Sequence, residues 1–282
     1  MNWSEFTAPY AFEFFRNGVY VATLAGALCG LVGCYVVLRN MSYIGHGLSH
    51  AIFGGYAVAG LVGVNLFLGA GVWGVVTALA IGGIVRRRPI GSDAAIGVVT
   101  TASFALGIAL VERYGSPDRS ADALLFGNIL GVKSSDVWLV GAVSLVALAF
   151  VVFGYRPLLF TTFDEEVAQA TGVRTTLVDV LLMMVLAATV LATMAVMGVT
   201  LIAATLVVPA VVARMVTDSF SKMLVIATVL GAISGFVGMN VSYHLDLPSG
   251  STIVLVATAF FLMAFVGGGR LRRRAGTVAH AH

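Results

Sequence analysis

Long apolar runs, separated by short polar or basic stretches, fill the chain from about residue 18 to residue 268. A helix needs roughly 20 such residues to cross the hydrocarbon core of a bilayer. A further apolar segment, ALLFGNIL at 123–130, is too short to cross and is typical of a re-entrant or interfacial half-helix packed against protein. The long runs predict nine candidate spans, at 18–38, 42–64, 66–85, 93–111, 136–155, 176–196, 198–216, 222–243 and 251–268.

This pattern predicts an all-α polytopic membrane protein of about eight or nine transmembrane helices. We expect a single membrane domain over residues 1–282, with a basic tail at 269–282. The composition excludes a soluble domain, because only 10% of the residues are charged and 59% are hydrophobic, whereas soluble domains carry about 25% charged residues. The first apolar run is too long for the core of a signal peptide and is therefore interpreted as a retained span.

Small residues in two of the predicted spans indicate close packing of helices. Gly26 with Gly30, and Gly231 with Gly235, form pairs separated by three residues, which allow helix backbones to approach each other. The two cysteines lie five residues apart in the first span and therefore point to different faces of the helix. They are interpreted as buried core residues and not as a disulfide or a metal-binding pair.

The basic residues predict the orientation of the chain. When the loops are assigned alternately to the two sides, twelve of the sixteen Lys and Arg residues fall on one side. The positive-inside rule makes that side the cytoplasm, so the C-terminus is predicted to be cytoplasmic and the N-terminus external. The basic residues anchor the tail at lipid headgroups and give no indication of a nucleic-acid partner.

Two histidines lie one turn apart at the start of the second predicted span. His46 and His50 share one face of a helix at about 6 Å, so together they can bind a divalent metal ion. The alternative is that backbone or serine groups satisfy each imidazole. One pair supplies two ligands where zinc usually has four, so a twofold dimer, an acidic side chain or water would complete the shell. The neighbouring glycines favour close backbone approach or a helix that moves; they are Gly45, Gly47, Gly54 and Gly55.

The loop after the fifth predicted span carries a second candidate element, a short cytoplasmic helix near 160–173. Thr161 or Thr162 is the candidate cap, and Gly172 ends the helix. The helix is either a docking surface for a partner or a solvated segment resting on the headgroups. Its candidate functional residues are Phe163, Asp164, Glu165, Glu166, Ala170 and Gly172.

Three further positions carry weaker signals. Pro209 removes a backbone hydrogen bond inside an apolar helix and can kink it, which suits gating as well as ordinary packing. His244 and Asp246 lie at the predicted outer face, where they can meet a metal ion as it arrives, although Asp246 is better explained by the turn before Pro248. The terminal His280 and His282 belong to a tail that can bind metal only loosely.

Five stretches in order resemble the permease subunits of ABC transporters that take up zinc, manganese or iron. They are GCYVVLRNMSYIGHGLSHAIFGG, LLFGNILGV, FDEEVAQATGV, GVTLIAATLVVPAVVA and SYHLDLPSGSTIVLV. The resemblance covers about residues 18 to 268. It implies a non-enzymatic transport subunit of a bacterial cytoplasmic membrane with no tightly bound cofactor. It also implies a homodimer, two cytoplasmic ATPase subunits that bind ATP, an extracytoplasmic solute-binding protein, and a coupling role for the 160–173 helix.

Within the resemblance, one position departs from many relatives. They carry an aspartate where this chain has His46, while His50 matches. Four imidazoles in a dimer favour zinc, with manganese next, because manganese accepts carboxylate and water more readily. Ion binding should weaken below about pH 6.5, where imidazole becomes protonated.

Two other classes of protein agree less well with the sequence. A membrane metalloprotease would need an HExxH-type general base, and no acidic residue lies near His50 in the sequence. A secondary, ion-coupled metal transporter working without an ATPase is the stronger alternative. Such carriers usually place acids in mid-membrane, whereas here acids fall at the ends of predicted helices or in loops: Asp93, Glu112, Asp179 and Asp218.

Overall fold

The structure is a computed structural model that describes residues 7–87, 91–114, 132–199 and 201–279. Within these ranges the chain is almost entirely helical, and a 3-10 turn at Ala8–Ala11 precedes the first long helix. The α-helices are α1 (Glu13–Leu38), α2 (Ile44–Val62), α3 (Leu66–Arg87), α4 (Ser92–Tyr114), α5 (Ser134–Phe153), α6 (Tyr155–Phe163), α7 (Glu165–Ala170), α8 (Thr175–Met197), α9 (Ile202–Val216), α10 (Phe220–Leu245) and α11 (Ser249–Ala279).

All nine predicted spans correspond to helices of the structure, which confirms the all-α polytopic fold. Seven of the described helices are long and apolar enough to cross a membrane. The other two predicted spans became α2, which carries both histidines of the pair, and α9, which has only 15 residues. Helix α9 begins at Ile202 instead of residue 198, because Gly198 adopts φ +77° and ends α8. The predicted half-helix at 123–130 lies outside the described residues.

Helix α1 is the centre of the bundle. In its most apolar window 72% of the residues are buried, compared with 17% for α5. It packs against α5, α8, α9 and α10. Cys29 and Cys34 are both free and buried within it, which confirms their assignment as core residues.

The backbones of α1 and α10 touch along their glycines. A methyl group on Gly26 would overlap the carbonyl oxygen of Gly231, and one on Gly235 would overlap that of Ala22. On a second face of α1, a methyl group on Gly33 would overlap the carbonyl oxygen of Leu206 in α9. The predicted role of the spaced glycines in close helix packing is therefore confirmed.

Polar contacts distinguish the two ends of the bundle. At one end, Arg39 contacts α6 and α8, and Arg86 donates to the carbonyl oxygen of Thr176 at 3.3 Å. At the other end, Ser134 at the start of α5 donates to Glu13 at 3.2 Å. Arg39 and Arg86 thus lie at the same end as α6 and α7, and both are among the twelve basic residues that the predicted orientation places on one side. We refer to this as the basic end.

Replacing Gly26 by alanine is expected to destabilise the protein by about 1–3 kcal/mol, because the new methyl group forces α1 and α10 apart. The midpoint temperature at which a thiol-reactive dye labels Cys29 and Cys34 in purified protein measures this effect, since both thiols are buried in the folded state. Gly141→Ala in α5 is the matched control, because a Cβ there meets no atom within 4 Å. Equal midpoints for the two variants would contradict the packing role of Gly26.

Candidate metal pathway

Close packing on two sides fixes the position of α2. A Cβ on Gly47 would lie 2.7 Å from the hydroxyl oxygen of Thr100 in α4, and one on Gly45 would lie 3.2 Å from the Cα of Ala203 in α9. The predicted close backbone approach is therefore seen at Gly45, whereas Gly47 makes room for the side chains of Thr100 and Ile96. The Ser49 hydroxyl adds a polar tie, because it lies 2.8 Å from the carbonyl oxygens of both His46 and Val199. Helix α2 is thus clasped between α4 and the junction of α8 with α9.

The two imidazoles of His46 and His50 lie side by side. Their ring centroids are 4.4 Å apart and the ring planes are inclined by 75°. The ring of His50 also meets Phe104 edge-on at 5.0 Å, which holds it from the opposite side. The structure therefore brings the predicted pair into direct contact.

The hydrogen bonds around the pair argue against a purely structural role. Nδ1 of His50 is buried and makes no hydrogen bond to any described residue. Ser49, the serine best placed to satisfy an imidazole, uses its hydroxyl on two carbonyl oxygens instead. A buried nitrogen without a partner is costly, and a transition-metal ion is one partner that imidazole accepts readily.

The pair lies on a side of the first turns of α2 that the described residues leave open. Tyr43 is 65% exposed, His46 is exposed and His50 is half-buried, while the intervening Gly47 and Leu48 are buried. Helices α3, α4 and α9 pack against other sides of α2.

The ligand set within one chain is incomplete. Among the described residues, no group of three or more His, Cys, Asp or Glu side chains lies close enough to hold a metal ion. Two nitrogens are fewer than the four ligands of a closed zinc site. Any fuller shell therefore needs donors beyond the described part of one chain.

The other predicted metal and gating residues lie elsewhere. Asp246 caps the end of α10 in the left-handed conformation, with φ +50°, and its N–H donates to Ser242; this agrees with a role in the turn. His244 packs its ring against Tyr243 at 5.6 Å. Pro209 is buried inside α9. None of the three joins the histidine pair in a metal-binding cluster. His280 and His282 lie outside the described residues.

The predicted single helix at 160–173 is wrong in detail, because the structure has two helices there. Helix α6 ends at Phe163, and α7 begins after Asp164, whose carboxylate accepts the N–H of Val167 at 2.9 Å. Asp164 is therefore the cap in place of Thr161 or Thr162. An acidic side chain next to a helix start satisfies free N–H groups and complements the helix dipole, so it outcompetes a threonine further upstream.

Helix α7 ends where the sequence predicted. Gly172 adopts φ +81°, and the N–H groups of Gly172 and Val173 donate to the carbonyls of Gln169 and Ala168 at 3.0 Å each. This pair of hydrogen bonds terminates the helix. The candidate residues Glu165, Glu166 and Ala170 are all exposed.

An apolar and acidic surface accompanies α7 at the basic end. Phe163 is 58% exposed and Val167 is 44% exposed, next to the acidic side chains of the first turn. A shallow groove of about 580 Å³ lies beside them, between α7 and the start of α8. It is lined by Gln169, Val173, Arg174, Thr175, Thr176, Leu177 and Val180. We refer to α6, α7 and this groove as the docking segment.

Four residues near these sites make contacts that the sequence does not predict. Phe104 shows no signal beyond belonging to an apolar run, so its contact with His50 is a product of the fold. Ser49 stands between the two histidines, where the sequence suggests only a partner for imidazole. Arg39 and Asp179 lie near the ends of two different predicted spans, and nothing local in the sequence indicates their ion pair at 2.6 Å.

The fold and the sequence agree in placing the chain among known permeases. The model of the ABC 3 transport family matches residues 11–268. The manganese transport system membrane protein MntC of Halalkalibacterium halodurans is 37% identical over 255 residues, which cover 90% of this chain and 87% of the relative. The manganese import system permease protein ScaB of Streptococcus parasanguinis is 37% identical over 256 residues, 90% of each chain.

A solved structure shows the same architecture. A chain of PsaBC from Streptococcus pneumoniae in complex with Fab superposes with a TM-score of 0.82 at 35% identity, and the match covers 93% of this chain and 95% of that chain. The apolar helices, the packed core and these similarities define a multi-pass membrane permease. The chain belongs to the ABC 3 transport family and is a permease subunit of an ABC-type metal importer.

Replacing Asp164 by alanine is expected to loosen α7, because a lost N-cap costs about 1 kcal/mol and α7 has only six residues. Hydrogen exchange of the backbone amides over residues 165–171 should then become roughly fivefold faster, since 1.4 kcal/mol corresponds to tenfold. Asp218→Ala is the control, because that aspartate is exposed and pairs only weakly with Arg214 at 3.4 Å. Unchanged exchange in Asp164→Ala would show that α7 does not depend on its cap.

Proposed function

We propose that two copies of this chain enclose the translocation pathway of an ATP-driven importer of divalent transition-metal ions, and that His46 and His50 bind the ion in transit. The observation that carries the proposal is the adjacent imidazole pair on the open side of α2, with Nδ1 of His50 buried and without a hydrogen bond to the described residues. Ionisable groups are rare inside membranes and commonly mark the path of a substrate.

The incomplete ligand set supports the dimer. A twofold axis next to the open side of α2 would bring a second imidazole pair towards the first, because such an interface presents the same patch from both subunits. The shell would then hold four nitrogens. A transported ion must also leave its site, so a loosely held or partly hydrated shell serves transport better than a rigid tetrahedral one.

Manganese is the ion we propose first, because it is the ion named for the relatives MntC and ScaB. Zinc is the second candidate, and the imidazole pair favours it. Nitrogen ligands suit zinc and other late transition metals, whereas manganese takes carboxylate and water oxygens more readily. On either reading the imidazoles must be neutral to bind, so uptake should decline as the medium is made more acidic.

The docking segment is proposed to rest on a separate cytoplasmic ATPase subunit, one for each copy of the permease. Its support is the exposed apolar and acidic surface of α7 beside the groove, at the end of the bundle that also holds Arg39 and Arg86. An extracytoplasmic solute-binding protein would deliver the ion at the opposite end, where His244 and Asp246 lie. ATP binding would draw the ATPases together and reorient the helices around the histidine pair.

Uptake of manganese and zinc in proteoliposomes tests the pathway. The vesicles hold the permease, its ATPase and its binding protein, with ATP inside. His46→Ala and His50→Ala are each expected to lower uptake by at least tenfold, because each removes one imidazole per copy. His46→Asp should shift the preference towards manganese, since it restores a carboxylate. The double replacement His280→Ala with His282→Ala is the matched control and should leave uptake unchanged.

Two results of this measurement would oppose the proposal. Wild-type uptake in both single alanine variants would mean that the histidines are structural. Uptake by the permease alone, without ATP and without the ATPase, would instead support a secondary carrier. The two failures are distinct, because the first concerns the ion site and the second concerns the source of energy.

Glu166→Lys and Ala170→Trp test the docking segment. Both side chains are exposed on α7, so the replacements should spare the fold while opposing or obstructing a partner. We expect the ATPase to be lost from the purified complex and uptake to fall with it. Glu112→Lys makes the same charge change at an exposed position outside the docking segment and should retain the ATPase. Full retention in the α7 variants would exclude this segment as the docking element.

A further inference from the structure

Arg39 caps the end of α1 and joins it to two other elements. Its Nη1 pairs with Oδ1 of Asp179 in α8 at 2.6 Å. Its Nη2 donates to the Thr161 hydroxyl at 2.8 Å, and its Nε donates to the Thr162 hydroxyl at 3.2 Å. All three guanidinium nitrogens are thus engaged, two of them by α6 of the docking segment.

This contact is partly enclosed and geometrically demanding. The side chains of Arg39 and Asp179 are only 13% and 19% exposed. Thr161 donates its own hydrogen to the carbonyls of Pro157 and Leu158, at 2.9 and 3.2 Å, which leaves its oxygen lone pairs to accept from Arg39. The planar guanidinium of Arg39 has donors in fixed directions that reach all three acceptors, on Asp179, Thr161 and Thr162. The single ammonium group of a lysine could not reach all three at once.

A short rigid turn leads from Arg39 to the histidine helix. Asn40 adopts the left-handed conformation with φ +54°. The N–H of Met41 donates to Val36 at 2.9 Å, and the N–H of Ile44, the first residue of α2, donates to Met41 at 2.9 Å. The link between the guanidinium and His46 is therefore a hydrogen-bonded turn and not a slack loop.

The docking segment has a second attachment, which is aromatic and involves the start of α10. Phe163 meets Phe220 at the start of α10 edge-on at 5.7 Å, and Phe220 also contacts Tyr35 at 5.5 Å and Tyr155 at 5.8 Å. This aromatic cluster secures α6 against α10 and reaches α1 at Tyr35, one turn before Arg39. Of these two attachments, only the one made by Arg39 lies immediately before the turn into α2.

From this arrangement we infer that Arg39 is the positioning residue that transmits movement of the docking segment to the histidine helix. The inference rests on the proposed function, in which an ATPase acts on that segment. When α6 moves, the hydrogen bonds that Thr161 and Thr162 accept displace the guanidinium of Arg39. The hydrogen-bonded turn at Asn40 then transmits that displacement to α2. Asp179 fixes the orientation of the guanidinium through the ion pair and neutralises its charge where both side chains are mostly buried.

The test compares ions transported with ATP consumed in the reconstituted importer, using manganese and zinc as probes. Arg39→Lys keeps the charge and removes the fork. It is expected to retain the ATPase subunit in the purified complex and to hydrolyse ATP within twofold of the wild-type rate, while the number of ions moved per ATP falls at least tenfold. Arg214→Lys is the matched control, because its pair with Asp218 is open to solvent; its ratio should equal that of the wild type.

Thr162→Val provides an independent variant that preserves side-chain shape and removes only the hydroxyl that accepts Nε of Arg39. Thr162→Val should lower the number of ions moved per ATP severalfold. The double variant with Arg39→Lys should have nearly the same number of ions moved per ATP as Arg39→Lys alone, because both replacements act on one contact. A wild-type ratio in either single variant overturns the inference. So does loss of the ATPase from the Arg39→Lys complex, which would mean that Arg39 only shapes the docking surface. Failure of the docking proposal would be distinguished by Glu166→Lys and Ala170→Trp, which leave Arg39 intact.

Discussion

The close backbone contact of α1 with its neighbours is the constraint on which the rest of the molecule depends. In a bilayer the lipid tails are as apolar as leucine, so helices associate through tight packing and polar contacts and gain little from the hydrophobic effect. Gly26 and Gly33 let α10 and α9 reach the α1 backbone directly. Because α1 is held in this way on two faces, the position of its last residue and of the turn into α2 is fixed as well.

The packing of α2 follows the same physical rule but has an asymmetric result. Glycines of α2 lie in contact with α4 and α9. The side that carries the two imidazoles is left open by the described residues. Small residues thus decide which face of this helix is covered. The histidine face stays open because neighbouring helices pack against the glycines on the other faces. Phe104 then restrains the half-buried ring of His50.

The sequence was sufficient for the helices and for the identity of the histidine pair, because both depend on local spacing. Hydropathy located every long helix, and a spacing of four residues placed His46 above His50. The break at Asp164 was missed, since a capping carboxylate and an interior acid look alike in a sequence. The Arg39–Asp179 pair could not be predicted, because 140 residues separate its members and only the packing of α1 on α8 brings them together.

The open side of α2 also has a consequence for inheritance. On the proposed twofold arrangement, each copy contributes half of an ion site, so a cell that makes normal and histidine-deficient chains together would assemble mixed pairs. Each mixed pair would occupy ATPase subunits while offering the ion only one intact half. A defect at His46 or His50 would therefore behave as dominant, whereas a chain too damaged to fold would merely be absent.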